Sequence, residues 1–186
     1  MPSKLITAPT AEPITLAEAK LHLRVDSTDE DALITALIVA ARQGAEQMTG
    51  RALMPQTWEI ALDGFPDEIE LQHPPLASIT SVSYLDEASA AQTLSAAAYV
   101  IDSYSQPERL SLVADTEWPA TLEQANAVIV RFVAGYASAA AIPQEIKQWM
   151  LLRIGLLYEH RESVAGSLAP LPFADRLLDA YRVGGL

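Results

Sequence analysis

The chain contains no cysteine. It therefore has no disulfide framework, no thiolate nucleophile and no cysteine ligand for a metal. Histidine is nearly as scarce. His22, His73 and His160 are the three present, and no two of them stand three or four residues apart, so no helical ligand pair is on offer. Each reads as an ordinary surface or packing residue. Positive charge is short as well: 12 Lys and Arg face 24 Asp and Glu, for a net charge of −12. A protein that grips DNA neutralises phosphates with a basic footprint, and this balance does the reverse. DNA can still pass nearby, repelled by the acidic surface. No apolar run reaches the roughly 20 residues of a spanning helix, because the longest is interrupted by Arg153 and Gly155.

Chemistry-bearing motifs are missing too. There is no glycine-rich phosphate loop after a strand, no G-x-S-x-G elbow and no credible Ser/His/Asp set. The acidic cluster Asp26, Asp29, Glu30 and Asp31 lacks the loop glycine and distal Glu of an EF-hand, and reads as charge at a helix N-terminus. The group Glu159, His160, Arg161 and Glu162 reads as a solvated helix end with local ion pairs. Catalytic residues, metal ligands and cofactors are therefore all expected to be none. A small cytoplasmic enzyme with a scattered site is the weakest reading.

What is present is a folded composition: half the residues are hydrophobic and 19% are charged, which 186 residues can organise into one core with an appended subdomain. The start, MPSKLITAPTAEP, has one lysine and no apolar core, unlike a signal peptide. A soluble protein is expected, with residues 1–13 as a flexible arm.

Thr15 and Glu18 stand at capping-box spacing, predicting a short helix over 16–24 with Leu16, Ala19, Leu21 and Leu23 available for burial. Thr28 with Asp31 is a weaker cap for a second helix running to Thr49, which Gly50 ends. On that helix Leu33, Ile34, Leu37, Ile38, Ala41, Ala45 and Met48 form the apolar stripe, with Thr35, Arg42, Glu46 and Thr49 opposite. Alternating or β-rich runs then follow at 56–62, 68–71, 76–85, 93–94, 99–102, 109–113 and 127–132, separated by turn residues. They predict a small antiparallel sheet or sandwich.

Pro143 suits a helix first turn, and the chain then runs without a strong breaker to Ser163, roughly 30 Å of helix. Gln144, Gln148, Gly155, Glu159 and Glu162 share a narrow polar stripe. Nearly everything else in the middle turns is apolar, so this helix needs partners on most of its circumference. Phe173, Leu177, Leu178 and Tyr181 give a short closing helix ending near Arg182.

The fold class predicted is α+β: a mainly helical core over 14–53 and 142–186 carrying a β-rich insertion over 54–135, as a single domain. Arg153 is the one charge inside the apolar wrap of the long helix. It either pairs across a subunit boundary or snorkels to a monomer's surface.

Several stretches, in order, carry a resemblance. They are Ile14-Thr15-Leu16-Ala17-Glu18-Ala19-Lys20, Leu21-His22-Leu23-Arg24-Val25-Asp26, Thr49-Gly50-Arg51-Ala52-Leu53, Gln56-Thr57-Trp58, Pro74-Pro75-Leu76, Val82-Ser83-Tyr84-Leu85-Asp86, Ala134-Gly135-Tyr136, Ile142-Pro143, Leu157-Tyr158-Glu159-His160-Arg161-Glu162, and Leu177-Leu178 with Tyr181-Arg182. Together they resemble the head–tail connector (adaptor, or head completion) proteins of tailed bacteriophages. The chain departs from that pattern after Asp86, where Glu87-Ala88-Ser89-Ala90-Ala91 replaces a glycine turn, and at Gln72-His73.

The resemblance implies a non-enzymatic structural protein of the virion, made in the bacterial host cytoplasm and located at the head–tail junction. It implies a homo-oligomeric ring, dodecameric when docked, that sits under the portal protein and extends the DNA channel. A head-completion or tail-terminator protein would bind the tail side, DNA would pass without specific binding, and no membrane is involved. Another tail-completion or virion assembly protein is the alternative. On this reading Trp149, Arg153, Leu156 and Glu159 are candidates for the subunit interface. Phe173, Leu177, Leu178, Tyr181 and Arg182 are candidates for the portal contact, unless that segment only covers its own core.

Overall fold

In the computed structural model, residues 3–160 and 172–184 are described, the side chains of Pro172 and Phe173 excepted. The order is β1 (Ser3–Thr7), α1 (Leu16–Leu23), α2 (Asp31–Thr49), β2 (Gln56–Leu62), β3 (Glu68–Leu71), β4 (Leu76–Leu85), β5 (Ala91–Thr93), β6 (Tyr99–Asp102), β7 (Glu108–Leu112), β8 (Val128–Ala134), α3 (Gln144–Glu159) and α4 (Pro172–Asp175). A 3₁₀ segment, Arg176–Tyr181, continues from α4. The class is α+β. With 34% helix and 28% strand, neither dominates, and the apolar side chains collect into a helical core and a separate β core.

The helical core follows from α2. Its buried stripe of Ile34, Ile38, Ala41 and Ala45 meets Ile146, Trp149, Met150 and Ile154 of α3. Gly50 ends α2 in the left-handed region at φ 71, returning its amide to the Glu46 carbonyl at 2.8 Å. The capping box of α1 forms as expected: the Glu18 amide donates to Thr15 Oγ1 at 3.2 Å and the Thr15 amide to Glu18 Oε2 at 2.7 Å. Donation to the Glu18 carboxylate by the Thr15 hydroxyl, at 2.7 Å, and then by the Thr15 amide holds that carboxyl below its ordinary range. The Thr28 cap does not form. The helix begins at Asp31 with Glu30 at the N-cap and no side-chain cap; the Asp31 amide donates to the Thr28 carbonyl at 3.2 Å and its carboxylate pairs with Lys20 Nζ at 2.6 Å.

The β core is a two-layer packing. Five strands run in the order β1-β2-β8-β4-β5 and three in the order β3-β7-β6, with every pairing antiparallel. Ile60, Val130 and Val82 lie in one cross-strand row of the larger sheet. Ile69 and Leu110 pair in the smaller one, and the inner faces of both sheets make a single buried cluster. The glycine turn missing after Asp86 is replaced by its carboxylate, whose Oδ1 accepts from the amides of Ala88 at 3.0 Å and Ala90 at 2.9 Å. Ser89 takes the left-handed position at φ 63. Bonds from the Gln92 side chain, then from those amides, keep the Asp86 carboxyl below its ordinary range.

Three expectations change. The 1–13 arm contains β1, which pairs with β2 from Ser3↔Ile60 to Thr7↔Thr57 and forms an edge of the larger sheet. It gave no signal because its side chains are mostly exposed, so burial never imposed alternation. Leu21, expected to be available for burial, is 82% exposed. It stands two residues from buried Ala19, about 200° round the helix, and so points away. Arg42, placed on the polar face of α2, is buried at 6% exposure.

Arg42 is buried because the chain folds over that face. Its Nε donates to Glu12 at 2.8 Å and its Nη1 to Glu46 Oε2 at 2.7 Å. Glu46 Oε1 accepts from the Leu53 amide at 3.0 Å and from Gln56 Nε2 at 2.7 Å. One carboxylate thus ties α2 to the start of the sheet. The sheet returns past the same point at Gly135, φ 122, where a Cβ would lie 2.2 Å from the Met54 carbonyl oxygen. Only glycine fits there. Glu46→Ala leaves Arg42 with Glu12 but takes the acceptor from the Leu53 amide and the Gln56 side chain, so it should cost about 2 kcal/mol of stability, read by urea unfolding. A loss under about 1 kcal/mol, the range of an exposed pair, would show that the junction does not depend on it.

Candidate interaction surfaces

The three histidines stand apart in the structure, and no His/Cys/Asp/Glu group among the described residues could hold a metal. Of the acidic cluster, Asp31 pairs with Lys20 and Glu30 accepts the hydroxyl hydrogen bond of Tyr158. The candidate sites are therefore surfaces.

The four residues proposed for a subunit interface do not form one patch. Trp149 lies in the helical core against Gly44, and its Nε1 donates to Asp175 Oδ1 at 2.9 Å. It is occupied inside the subunit. Arg153 and Glu159 are exposed and Leu156 is half-buried, and Arg153 has no ion pair among the described residues. The long helix is described to Glu159, so residues 161–163 of the expected helix lie outside the described residues. Leu151, Leu152, Leu156, Leu157 and Tyr158 are all half-buried. Among the described residues, the apolar wrap is not fully covered.

The closing segment is tied to its own chain. Leu178 is fully buried and Leu177 packs on the helical core. The Tyr181 hydroxyl donates to Glu145 Oε2 at 2.9 Å. That bond raises the Tyr181 pKa, while Glu145's own amide and then this hydroxyl lower the Glu145 pKa. Arg182 pairs with Asp179 at 3.3 Å. The Phe173 side chain lies outside the described residues. Arg51, to which no role was given from sequence, joins this segment to the β region: its Nε donates to the Tyr181 carbonyl at 2.6 Å and its Nη2 to Gln106 Oε1. The Val183 amide closes the segment on the Thr49 carbonyl at 2.8 Å.

At the opposite end of the larger sheet, marked by Leu62↔Val128↔Tyr84, the loops hold Asp63, Asp67, Glu87, Asp115, Glu117 and Glu123, all exposed, and no Lys or Arg. Stacking of Phe65 on Trp118 at 4.4 Å gathers two of these loops. Two exposed apolar features escaped the sequence: Leu21, and the β6–β7 turn with Val100, Ile101 and Tyr104. Both had a readable signal. Leu21 is opposite Ala19 on the helix, and Tyr104 is an aromatic inside the small polar turn Ser103-Tyr104-Ser105-Gln106, too short to return a ring to a core.

The fold is two packed layers of strand on a helical core. A model of the family described as Phage gp6-like head-tail connector protein matches residues 13–110, and the chain belongs to that family of structural head–tail connectors, which are not enzymes. No curated protein sequence matches it. Among solved structures, a chain of the "Virion of native gene transfer agent (GTA) particle" is similar, with TM-score 0.81 and 24% identity over 100% of this chain and 97% of that one. A chain of the "Neck of empty GTA particle computed with C6 symmetry" has TM-score 0.81 and 25% identity over the same shares. One of the "Neck of native GTA particle computed with C12 symmetry" has TM-score 0.76 and 25% identity, again with 100% and 97% covered.

Two measurements check this geometry. Leu178→Ala should cost about 3 kcal/mol of folding stability as a buried truncation. No loss would mean the closing segment is not part of the core. His73 stacks on Trp58 at 3.9 Å and shares a hydrogen bond with Ser3 Oγ at 3.1 Å, and its burial lowers its pKa from the ordinary 6.5. The unfolded chain then takes that proton first, so this contribution is present above pH 6.5 and is lost as pH falls below it. The stability advantage of the protein over His73→Asn should shrink between about pH 7.5 and about pH 5, read by thermal melts. An advantage that grows on acidification would contradict the buried neutral ring. Asn suits the left-handed φ of 65 at this position.

Proposed function

We propose that the protein is a subunit of a homo-oligomeric ring in the neck of a phage-like particle, docked under the portal protein, where it extends the DNA channel and joins head to tail. The observation that carries this is the fold match along the whole chain to subunits of particle necks, two of them reconstructed with six-fold and twelve-fold symmetry. Family membership over 13–110 supports the same reading. The ring is dodecameric in the virion, made from wedges whose helical cores (14–53 and 142–186) and β insertions (54–135) repeat around the axis.

Head-to-tail contacts between such wedges are heterologous, and rotation closes them into a ring. The net charge of −12 suits this site. An acidic channel repels the DNA that passes through it, so the polymer slides without being held. A tail-side head-completion or tail-terminator protein takes the other face. The protein reaches that place from the host cytoplasm, where it is made. The half-buried apolar residues of α3 and the exposed Arg153 and Glu159 are the part of the long helix left for a neighbour.

Size-exclusion chromatography with light scattering, with and without the cognate portal, tests the reading. A multimer of ring mass, alone or on portal, is expected, and a strict monomer that never binds portal would overturn it. In the same assay Arg153→Ala should weaken assembly about tenfold, as loss of an interfacial charge pair does, and leave the melting temperature unchanged. Equal loss of folding would return Arg153 to the monomer.

A further inference from the structure

The two halves of the chain carry charge very unequally. Residues 54–135, the β insertion, hold twelve Asp and Glu against two basic side chains, Arg109 and Arg131. The insertion therefore accounts for −10 of the net −12. The rest, with ten Lys and Arg against twelve Asp and Glu, is nearly balanced at −2. Between Arg51 and Arg109 there is no Lys or Arg at all.

That surplus faces water and is not spent inside the subunit. Both arginines of the insertion are already engaged, Arg109 with Glu68 at 3.0 Å and Glu70 at 3.6 Å, and Arg131 with Glu59. Asp67, Glu87, Asp115, Glu117 and Glu123 stand exposed on the connections between strands, with no ion pair among the described residues. On the helical half the charges close on one another, Lys20 with Asp31 and Arg42 with Glu12 and Glu46. The incompletely covered apolar residues of α3 also lie on that balanced half. Attraction and repulsion between copies are thus built into different parts of the fold.

Distance decides whether that repulsion matters. A folded chain of 186 residues has a radius of gyration of about 16 Å, so equivalent points of touching copies lie roughly 40 Å apart, and the facing surfaces of their insertions lie closer. The screening length is about 30 Å at 0.01 M salt and about 8 Å at 0.15 M. The insertions therefore repel across the interface in dilute buffer and are screened at physiological salt. Resting on the ring reading above, we propose that the β insertions oppose assembly while the nearly neutral helical halves drive it, so that closure of the ring is gated by ionic strength. Net charge of one sign keeps copies apart until counter-ions screen it. A ring held mainly by ion pairs between copies would respond in the opposite direction, because salt weakens attraction as it weakens repulsion. A single pair at Arg153 is outweighed by the net −10 on each insertion.

The test follows self-association by light scattering as NaCl is raised from about 0.01 M to about 0.15 M. It compares the unaltered protein with one variant carrying Asp67→Asn, Glu87→Gln, Asp115→Asn, Glu117→Gln and Glu123→Gln. Losing those five charges takes the net charge from −12 to −7, and Asn suits the left-handed φ of 61 at Asp115. Circular dichroism checks that the variant keeps the fold. The concentration at which the unaltered protein associates should fall about tenfold or more over that range of salt. The variant should associate in dilute buffer at a concentration the unaltered protein reaches only in salt, which separates screening from a general effect of salt on apolar contacts. Association that weakens with salt, a variant that needs as much salt as the unaltered protein, or no association of either at any salt would overturn the gating. Rings formed on the cognate portal would in each of those cases leave the ring reading standing. No ring even on portal would bring down both.

Discussion

A half-buried carboxylate, paired with a buried arginine, sets the relation between the two halves of this protein. Glu46 sits on the face of α2 that a surface helix would give to water, and the chain closes over it. Its two oxygens are then committed, one to the buried Arg42 guanidinium and one to the Leu53 amide and the Gln56 side chain. Both oxygens have partners, which offsets the partial loss of solvent around that charge. The first strand of the sheet is thereby registered on the helix. The returning strand passes the same point at Gly135, within a distance of Met54 that no side chain could share. The helical and β cores are joined through this crossing, and surfaces on either are held in a fixed relation.

Much of this could be read from the residues. The α2 stripe repeats at helical spacing over 19 residues, and the Thr15–Glu18 box is a local pair whose chemistry does not depend on the rest of the fold. The strands of the insertion alternate because one face of each sheet is buried, and β8 stood out because it lies between two neighbours. What escaped was set by distant parts of the chain. Arg42 looks like a surface residue until Glu12 arrives from thirty positions away. The first strand has no buried face to announce it, and only pairing with β2 makes it a strand. Replacement of the glycine turn by the Asp86 carboxylate and Ser89 is a local solution, visible only once the hydrogen bonds are drawn.

The candidate surfaces were legible less evenly. The apolar surplus on α3 was left open between this chain's own elements and a neighbour, and Trp149, its largest member, is consumed by the closing segment. Leu178 and Tyr181 are likewise engaged at home. Arg153 and Glu159 remain outside. The exposed features that lacked an assignment, Leu21 and Tyr104, were hidden by opposite habits of reading. A leucine in a helix was counted toward the core, and a tyrosine in a polar turn was passed over as loop.

The scarcities of the sequence and the shape of the fold bear on the same kind of work. Arg42, Glu46 and Arg51 serve as internal ties in a strongly acidic chain. The chain belongs to the head–tail connector family. The most direct measurement is electron cryomicroscopy of the neck of particles assembled with this protein. The account predicts twelve copies of this fold closed into a ring beneath the portal, continuous with the channel. Particles whose neck lacks the fold, or holds it in isolated copies that do not touch, would contradict it.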